Sequence, residues 1–334
     1  LYNSIHNNSL LSSHIEKSRG ITTSIQTKDN IHKFSYNYSW RDIYPSYTAK
    51  TIGSRISEEK DDYGIIHDTN NPVELTSTNT VILPTSSVLN LCNSSINSNF
   101  TYIYSKNSLN HLFIPTSGYR FQGKLQIAGL GGDVAYTKAE LFAQQYIPIT
   151  DRLNISFSLS TGLLDPLARP FTFISKHIDQ HYHHHTNKKE EEESKRSSFY
   201  VPHQSHICDR FYLGGPMTLR GFNYGGLGPM DGDDSLGGDI YTSTTIKLSY
   251  KPKLDKQFDS NRPHLHAYVS TANLLSYQEA SNTSTIQQYW QKSRMTAGFG
   301  ISLSILNAGR LELNLTQPLK VNTNDDTTHG DTTI

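Results

Sequence analysis

The sequence predicts an all-β chain and, within that class, a transmembrane antiparallel β-barrel. Apolar and polar residues alternate with a period of two in segment after segment, as they do when successive strand side chains point to opposite faces. Apolar runs stop after a few residues at Ser, Thr, Asn or Gly, short of the roughly twenty that a membrane-spanning helix needs. The polar positions of the alternating segments carry Lys, Arg, Glu and Gln in mid-strand, which a wet barrel lumen accepts.

The alternation is plainest in six segments. Phe34, Tyr36, Tyr38 and Trp40 share one face, with Lys33, Ser35, Asn37, Ser39 and Arg41 on the other. Tyr119, Phe121, Leu125 and Ile127 stand against Arg120, Gln122, Lys124 and Gln126. Leu153, Ile155, Phe157 and Leu159 stand against Asn154, Ser156 and Ser158, and Ile246, Leu248 and Tyr250 against Lys247 and Ser249. Near the end, Phe299, Ile301, Leu303 and Ile305 alternate with Gly300, Ser302 and Ser304, and Leu311, Leu313 and Leu315 with Glu312 and Asn314. Weaker segments lie near 20–28, 48–57, 87–105, 133–147 and 263–272, for roughly eleven strands of barrel-crossing length and no amphipathic helix between them. A soluble antiparallel sandwich alternates too. The 20 Tyr and 13 Phe tilt the reading towards the membrane, since several (Tyr44, Tyr47, Tyr146, Tyr250, Tyr268) fall near strand ends, where interfacial girdles place amphipathic rings.

Composition excludes other classes. Lys plus Arg and Asp plus Glu are both 30, so there is no basic surplus of the kind that nucleic-acid binding leaves. Cys92 and Cys208 are too few for a disulfide framework and lack metal-ligand spacing. The chain opens on Leu1 without a signal segment and reads as a fragment or a processed product. Two low-complexity stretches, 58–72 and 177–198, read as loops. The second holds His177, His181, His183, His184 and His185 followed by Glu190 to Glu193; its imidazoles could share a metal ion, but without a partner at fixed geometry it reads as a solvated insert. No Gly-x-Ser-x-Gly elbow, phosphate loop or zinc-protease pair is present, so neither an enzyme nor a cofactor is expected.

Residues 164–238 form a connection far longer than two neighbouring strands require, and such loops tend to be functional. Within it, Phe211, Leu213, Gly214, Gly215, Leu219, Arg220, Gly221 and Phe222 interleave aromatics, glycines and one arginine. Arg220 offers a planar fork for a carboxylate inside the lumen; Asp239, at the start of the next strand, and Glu140, on the polar face of another, are the expected partners in that order.

The run Phe-Tyr-Leu-Gly-Gly-Pro-x-x-Leu-Arg-Gly-Phe from Phe211, continuing through Gly228-Pro229 and Leu236-Gly237-Gly238-Asp239, resembles the signature loop of the outer-membrane barrel-assembly superfamily, and most of all that of its mitochondrial sorting-and-assembly branch. Ile114 to Gly118, the strand pair after Gly132 and Asn307 to Pro318 are similar to their counterparts, so the likeness runs from about 87 to 325. The resemblance implies a barrel of roughly sixteen strands behind a soluble domain, with this chain incomplete at both ends: the soluble domain, first strands and closing strand are missing. It also implies a non-enzymatic role in inserting β-barrel proteins into the mitochondrial outer membrane, with unfolded barrel precursors, peripheral subunits and membrane lipids as partners. A bacterial or plastid insertase or translocase relative is the alternative within the superfamily. A passive outer-membrane pore, or a barrel appended to a lipid hydrolase, is the alternative outside it. One departure stands out: Ser270, Thr271 and Ala272 occupy a strand where the family carries Asn or Asp, a small residue and Gly.

Overall fold

The structure is a computed structural model describing residues 2–7, 12–46, 48–52, 78–82, 84–167, 205–252, 263–282, 286–305, 309–323, 325–327 and 332–333. Both low-complexity stretches, including the His cluster, lie outside the described residues. In chain order the strands are β1 (Tyr2–Asn7), β2 (His14–Gln26), β3 (His32–Pro45), β4 (Thr48–Ile52), β5 (Thr78–Ile82), β6 (Ser94–Asn107), β7 (Gly118–Ala128) and β8 (Tyr136–Pro148). They continue as β9 (Leu153–Pro166), β10 (Met230–Asp231), β11 (Asp234–Ser235), β12 (Ile240–Tyr250), β13 (His264–Leu275), β14 (Arg294–Ile305), β15 (Gly309–Lys320) and β16 (Thr332–Thr333). Among the described residues, three short α-helices, α1 (Ser86–Leu91), α2 (Tyr277–Ser281) and α3 (Ile286–Lys292), sit in connections.

Twelve of these strands form one antiparallel sheet in the order β1-β2-β3-β6-β7-β8-β9-β12-β13-β14-β15-β16. Most neighbours in space are neighbours in sequence, the meander expected of a barrel wall. The 48–57 segment departs from expectation, because β4 pairs with β5 in a separate hairpin instead of joining the wall. The expected 87–105 strand begins as helix α1, and its strand starts only at Ser94. At the far edge, β16 meets β15 only at Asn314↔Thr333 and Leu315↔Thr332.

The two faces of the sheet decide between sandwich and membrane barrel. On β3, Phe34 (42% exposed), Tyr36, Tyr38 and Trp40 (51%) point outwards, whereas Ser39 (2%) and Arg41 (4%) are buried. The same inversion holds on β12, where Ile246 and Leu248 are exposed and Ser249 is buried, and on β15, where Leu313 and Leu315 are exposed and Asn314 is buried. A water-soluble sheet would place these faces the other way round. An apolar exterior with a polar interior is the arrangement for lipid, where each backbone group is paired within the wall. Two of the girdle tyrosines instead face inwards: Tyr146 (7%) and Tyr268 (3%) are buried, while Tyr44 and Tyr250 are exposed as expected and Tyr47 lies outside the described residues. Space for the inward rings comes partly from β14, where a Cβ on Gly298 would sit 2.7 Å from Tyr268 Cζ and one on Gly300 3.0 Å from His266 Nε2.

Adjacent β12 positions test this assignment. Ile246→Lys should cost about 2–4 kcal/mol of stability in lipid vesicles, as a charge placed against mid-bilayer hydrocarbon does. Thr245→Gln, on the lumenal face, should change it little; denaturant unfolding of the reconstituted barrel would reveal the reverse order if the faces were exchanged.

Candidate functional site: a loop docked inside the barrel

The long connection enters the lumen and packs against the wall. A 3-10 turn at Ile207–Asp209 leads in, and Phe211 bridges Gly238 through two backbone hydrogen bonds, Phe211 N to Gly238 O at 2.8 Å and the reverse at 2.9 Å. The chain then folds on itself through bridges Leu213↔Leu227 and Gly215↔Leu219. Thr218 locks the tip, its hydroxyl accepting from Gly214 N at 2.8 Å and donating to Gly214 O at 2.6 Å. Gly214 is at φ +120°, and a Cβ there would lie 2.1 Å from Asn223 O, so the tight double-back requires glycine.

Apolar residues of the loop make its base. Phe211, Leu213, Leu219, Phe222 and Leu227 are buried together with Leu164 of β9 and Ala272 and Leu274 of β13. The Phe211 ring meets Tyr241 of β12 edge-on at 4.7 Å and carries the Lys138 ammonium 4.2 Å from its centroid. Both rings are seated on Gly162 of β9, where a Cβ would come within 2.4 Å of Tyr241 and 2.6 Å of Phe211.

Charge fastens the loop at two levels. At its entry, Asp209 accepts a two-pronged pair from Arg41 of β3 at 2.9 and 3.0 Å, with both side chains at least 93% buried, and its carbonyl accepts from Lys138 at 2.7 Å. Burial alone would raise the carboxyl of Asp209; the Arg41 guanidinium overcomes this and holds it below the ordinary range. Next to it, burial and the Arg41 charge push His206 down to about 4. Arg210 donates to Ser205 Oγ, Ser205 O and Leu236 O at 2.8 to 2.9 Å, closing the loop's two ends on each other.

Deeper in the lumen, Arg220 donates from Nη2 to Glu312 Oε2 of β15 at 3.0 Å, with its guanidinium 5.1 Å from the Tyr268 ring centroid. Arg310 at 2.7 Å and Lys247 at 3.3 Å share the same carboxylate, and Ser302 Oγ donates to it at 3.3 Å. Neither expected partner takes this place. Asp239 is committed to the loop base, accepting from Ser205 Oγ and from Tyr277 N at 2.9 Å, and Glu140 pairs with Lys124 at 2.9 Å. The expectation failed because it ranked carboxylates by nearness to the loop in the chain, while the curl of the sheet sets nearness in space. Glu312 had a signal: it is a mid-strand carboxylate on the polar face of an alternating segment. In the departing strand, Ser270 supplies a hydroxyl that bonds Thr245 Oγ1 at 2.8 Å and no carboxylate, so the arginine's anion comes from β15 instead. Beneath the loop lies a cavity of about 710 Å³ lined by Arg120, Phe142, Arg220, Tyr241, Lys247 and Glu312 among others.

Removing one half of the entry pair should undock the loop. Asp209→Asn leaves Arg41 buried without its anion, at a cost of about 3–5 kcal/mol, and limited proteolysis of the lipid-embedded protein should then cut within 205–239. For the unaltered protein the pH dependence has a definite sign. His206 takes up a proton more readily in a released loop, so docking weakens as pH falls from 6.5 towards about 4. Asp209, held below 3.8, withdraws its share only at lower pH. Protection unchanged between pH 7 and pH 3 would refute this electrostatic account.

The profile of the Omp85 superfamily domain matches residues 2–330. A SAM50-like protein of Schizosaccharomyces pombe is 26% identical, covering 97% of this chain and 55% of that protein. The sorting and assembly machinery component 50 homolog of Mus musculus is 28% identical over 69% of this chain and 43% of its own length. The sorting assembly machinery 50 kDa subunit of Saccharomyces cerevisiae is 35% identical over 36% of this chain and 24% of its own. The chain thus spans about half the length, or less, of these relatives. In structure it is similar to BamA from Haemophilus ducreyi lacking POTRA domains 1–3, with a TM-score of 0.61 at 14% identity over 94% of this chain and 53% of that one. The superfamily match runs almost from end to end of a curled sheet that is apolar outside and holds a glycine-arginine loop inside: the chain belongs to the Omp85 superfamily.

Proposed function

We propose that this barrel works in the insertion and assembly of β-barrel proteins in the mitochondrial outer membrane, without enzymatic chemistry. The observation that carries the reading is the docked loop, whose Arg220 reaches Glu312 of β15 from inside a barrel wall of the Omp85 superfamily. An edge strand with open amides and carbonyls is a template for an added strand, and main-chain hydrogen bonds make such templating independent of most of the guest's sequence. On this reading precursor strands pair at a seam of the barrel while the loop stays fastened within the lumen. Its partners on this reading are unfolded barrel precursors, peripheral subunits of the same machine and membrane lipids. The relatives named for a sorting and assembly machinery favour the mitochondrial setting over a bacterial or plastid one. The Omp85 superfamily match and these relatives favour assembly over a passive pore.

Two measurements test this. The full-length protein should fractionate with mitochondrial outer membrane and resist alkaline carbonate; recovery in the soluble fraction would end the membrane reading. In mitochondria that depend on it, Arg220→Ala should slow assembly of an imported radiolabelled barrel precursor by about tenfold or more, since it cuts the loop's charged tie to Glu312, whose carboxylate then keeps only the wall's Arg310 and Lys247. Arg220→Lys should rescue poorly for want of the planar fork. Normal assembly in Arg220→Ala would remove the loop arginine from the mechanism.

A further inference from the structure

The loop makes a further attachment, beyond Asp209 and Arg220, to a part of the chain that neither anchoring charge touches. Asn223 N donates to Asp326 O at 3.1 Å, Asp326 N donates to Gly226 O at 2.9 Å, and Asn223 Nδ2 donates to Asp326 Oδ2 at 2.9 Å. Phe222, 1% exposed, forms a bridge with Thr327. Asp326 belongs to the turn that follows β15. That turn is built around the neighbouring Asp325, whose carboxylate accepts from Asn322 N at 2.7 Å and from Arg294 of β14 at 2.7 and 2.9 Å, and whose side chain is fully buried. Arg294 is itself tied to Lys292 O at 3.0 Å. The turn is therefore gripped from two sides, by the wall through Asp325 and by the lumenal loop through Asp326. Between the two loop attachments, Gly221, at φ +87°, lies along the lumenal side of β15, where a Cβ would sit 3.1 Å from Thr316 and 3.3 Å from Pro318.

A turn between neighbouring strands fixes where the second begins to pair, and a slip of one residue would exchange every lipid-facing side chain for a lumenal one. We propose that Asn223 and Gly226 form a latch that sets the turn after β15, making them positioning residues for β16, the strand that pairs with β15; its role in assembly rests on the function proposed above. The loop thus splints β15 from within at Glu312 and dictates its continuation at Asp326.

Gly226→Ala is the direct test. Gly226 is not in the left-handed region, so alanine meets no conformational penalty there, but its methyl would lie 2.5 Å from Asp326 O and 3.0 Å from Asn223 O, both backbone atoms. In the full-length protein in lipid, amide exchange of the peptide covering 321–327 should rise about tenfold in Gly226→Ala. Precursor assembly in mitochondria that depend on the variant should slow about threefold, the scale of losing a hydrogen bond or two. Asn223→Asp, which faces one carboxylate with another, should act likewise. Adding Asp326→Asn to it restores one amide opposite one carboxylate and should return both readouts to within about twofold of the unaltered protein, a rescue that general loosening would not give. Unchanged exchange in Gly226→Ala, faster exchange with normal assembly, or no rescue in the exchanged pair would each overturn the latch. If the unaltered protein failed to support assembly at all, the proposed function would fall, while the exchange measurements would still decide whether the latch exists.

Discussion

The carboxylate of Glu312 is where the loop and three strands meet: Arg220 from the loop, Lys247 from β12, Ser302 from β14 and Arg310 from β15 all converge on it. Such a cluster contributes little net stability by itself, because desolvating the ions offsets much of their attraction. Its effect is to forbid alternatives. A loop shifted by one residue would leave the Arg220 guanidinium without its anion in a partly dehydrated lumen, while Glu312 kept Lys247 and Arg310, and a cost of about a few kcal/mol separates that state from the paired one. The apolar base formed by Phe211, Leu219, Phe222 and Leu227 supplies adhesion, and the charges supply register.

The lumenal polar groups are a consequence of the apolar exterior. A wall of alternating residues that turns Phe34, Trp40, Ile246 and Leu313 to lipid must turn Arg41, Lys247 and Glu312 inwards. In a wide barrel water could solvate them. Here pairing takes the place of much of that water: the loop's Asp209 answers Arg41, while Glu312, already met by the wall's own Lys247 and Arg310, receives Arg220 as a third cation. Arg41 of the wall and Asp209 and Arg220 of the loop would each lose an ion-pair partner if the loop left, so the loop completes the electrostatics of the wall at its entry.

Much of this was legible in the sequence because it depends on a local period. The strands around Phe34, Tyr119, Leu153, Ile246, Phe299 and Leu311 stand where the alternation placed them, and the loop residues from Phe211 to Phe222 lie together in the lumen. What stayed hidden depends on distance through space. The Ser-, Asn- and His-bearing strand β1 lacks an apolar face in its letters, and β4 carries strand-forming residues but pairs outside the wall. The pairs Arg41 with Asp209, separated by 168 positions, and Arg220 with Glu312, separated by 92, are set by the curl of twelve strands, to which no local pattern points.

The seat of Phe211 and Tyr241 on Gly162 carries a consequence for how this chain can vary. With two rings already within 2.6 Å of where a Cβ would be, a methyl group at position 162 has no room unless a ring shrinks or leaves. Positions 162, 211 and 241 are thus a single unit of variation, spread over two strands and a loop. Only paired changes, a larger residue at one site with a smaller one at another, would leave the fit intact.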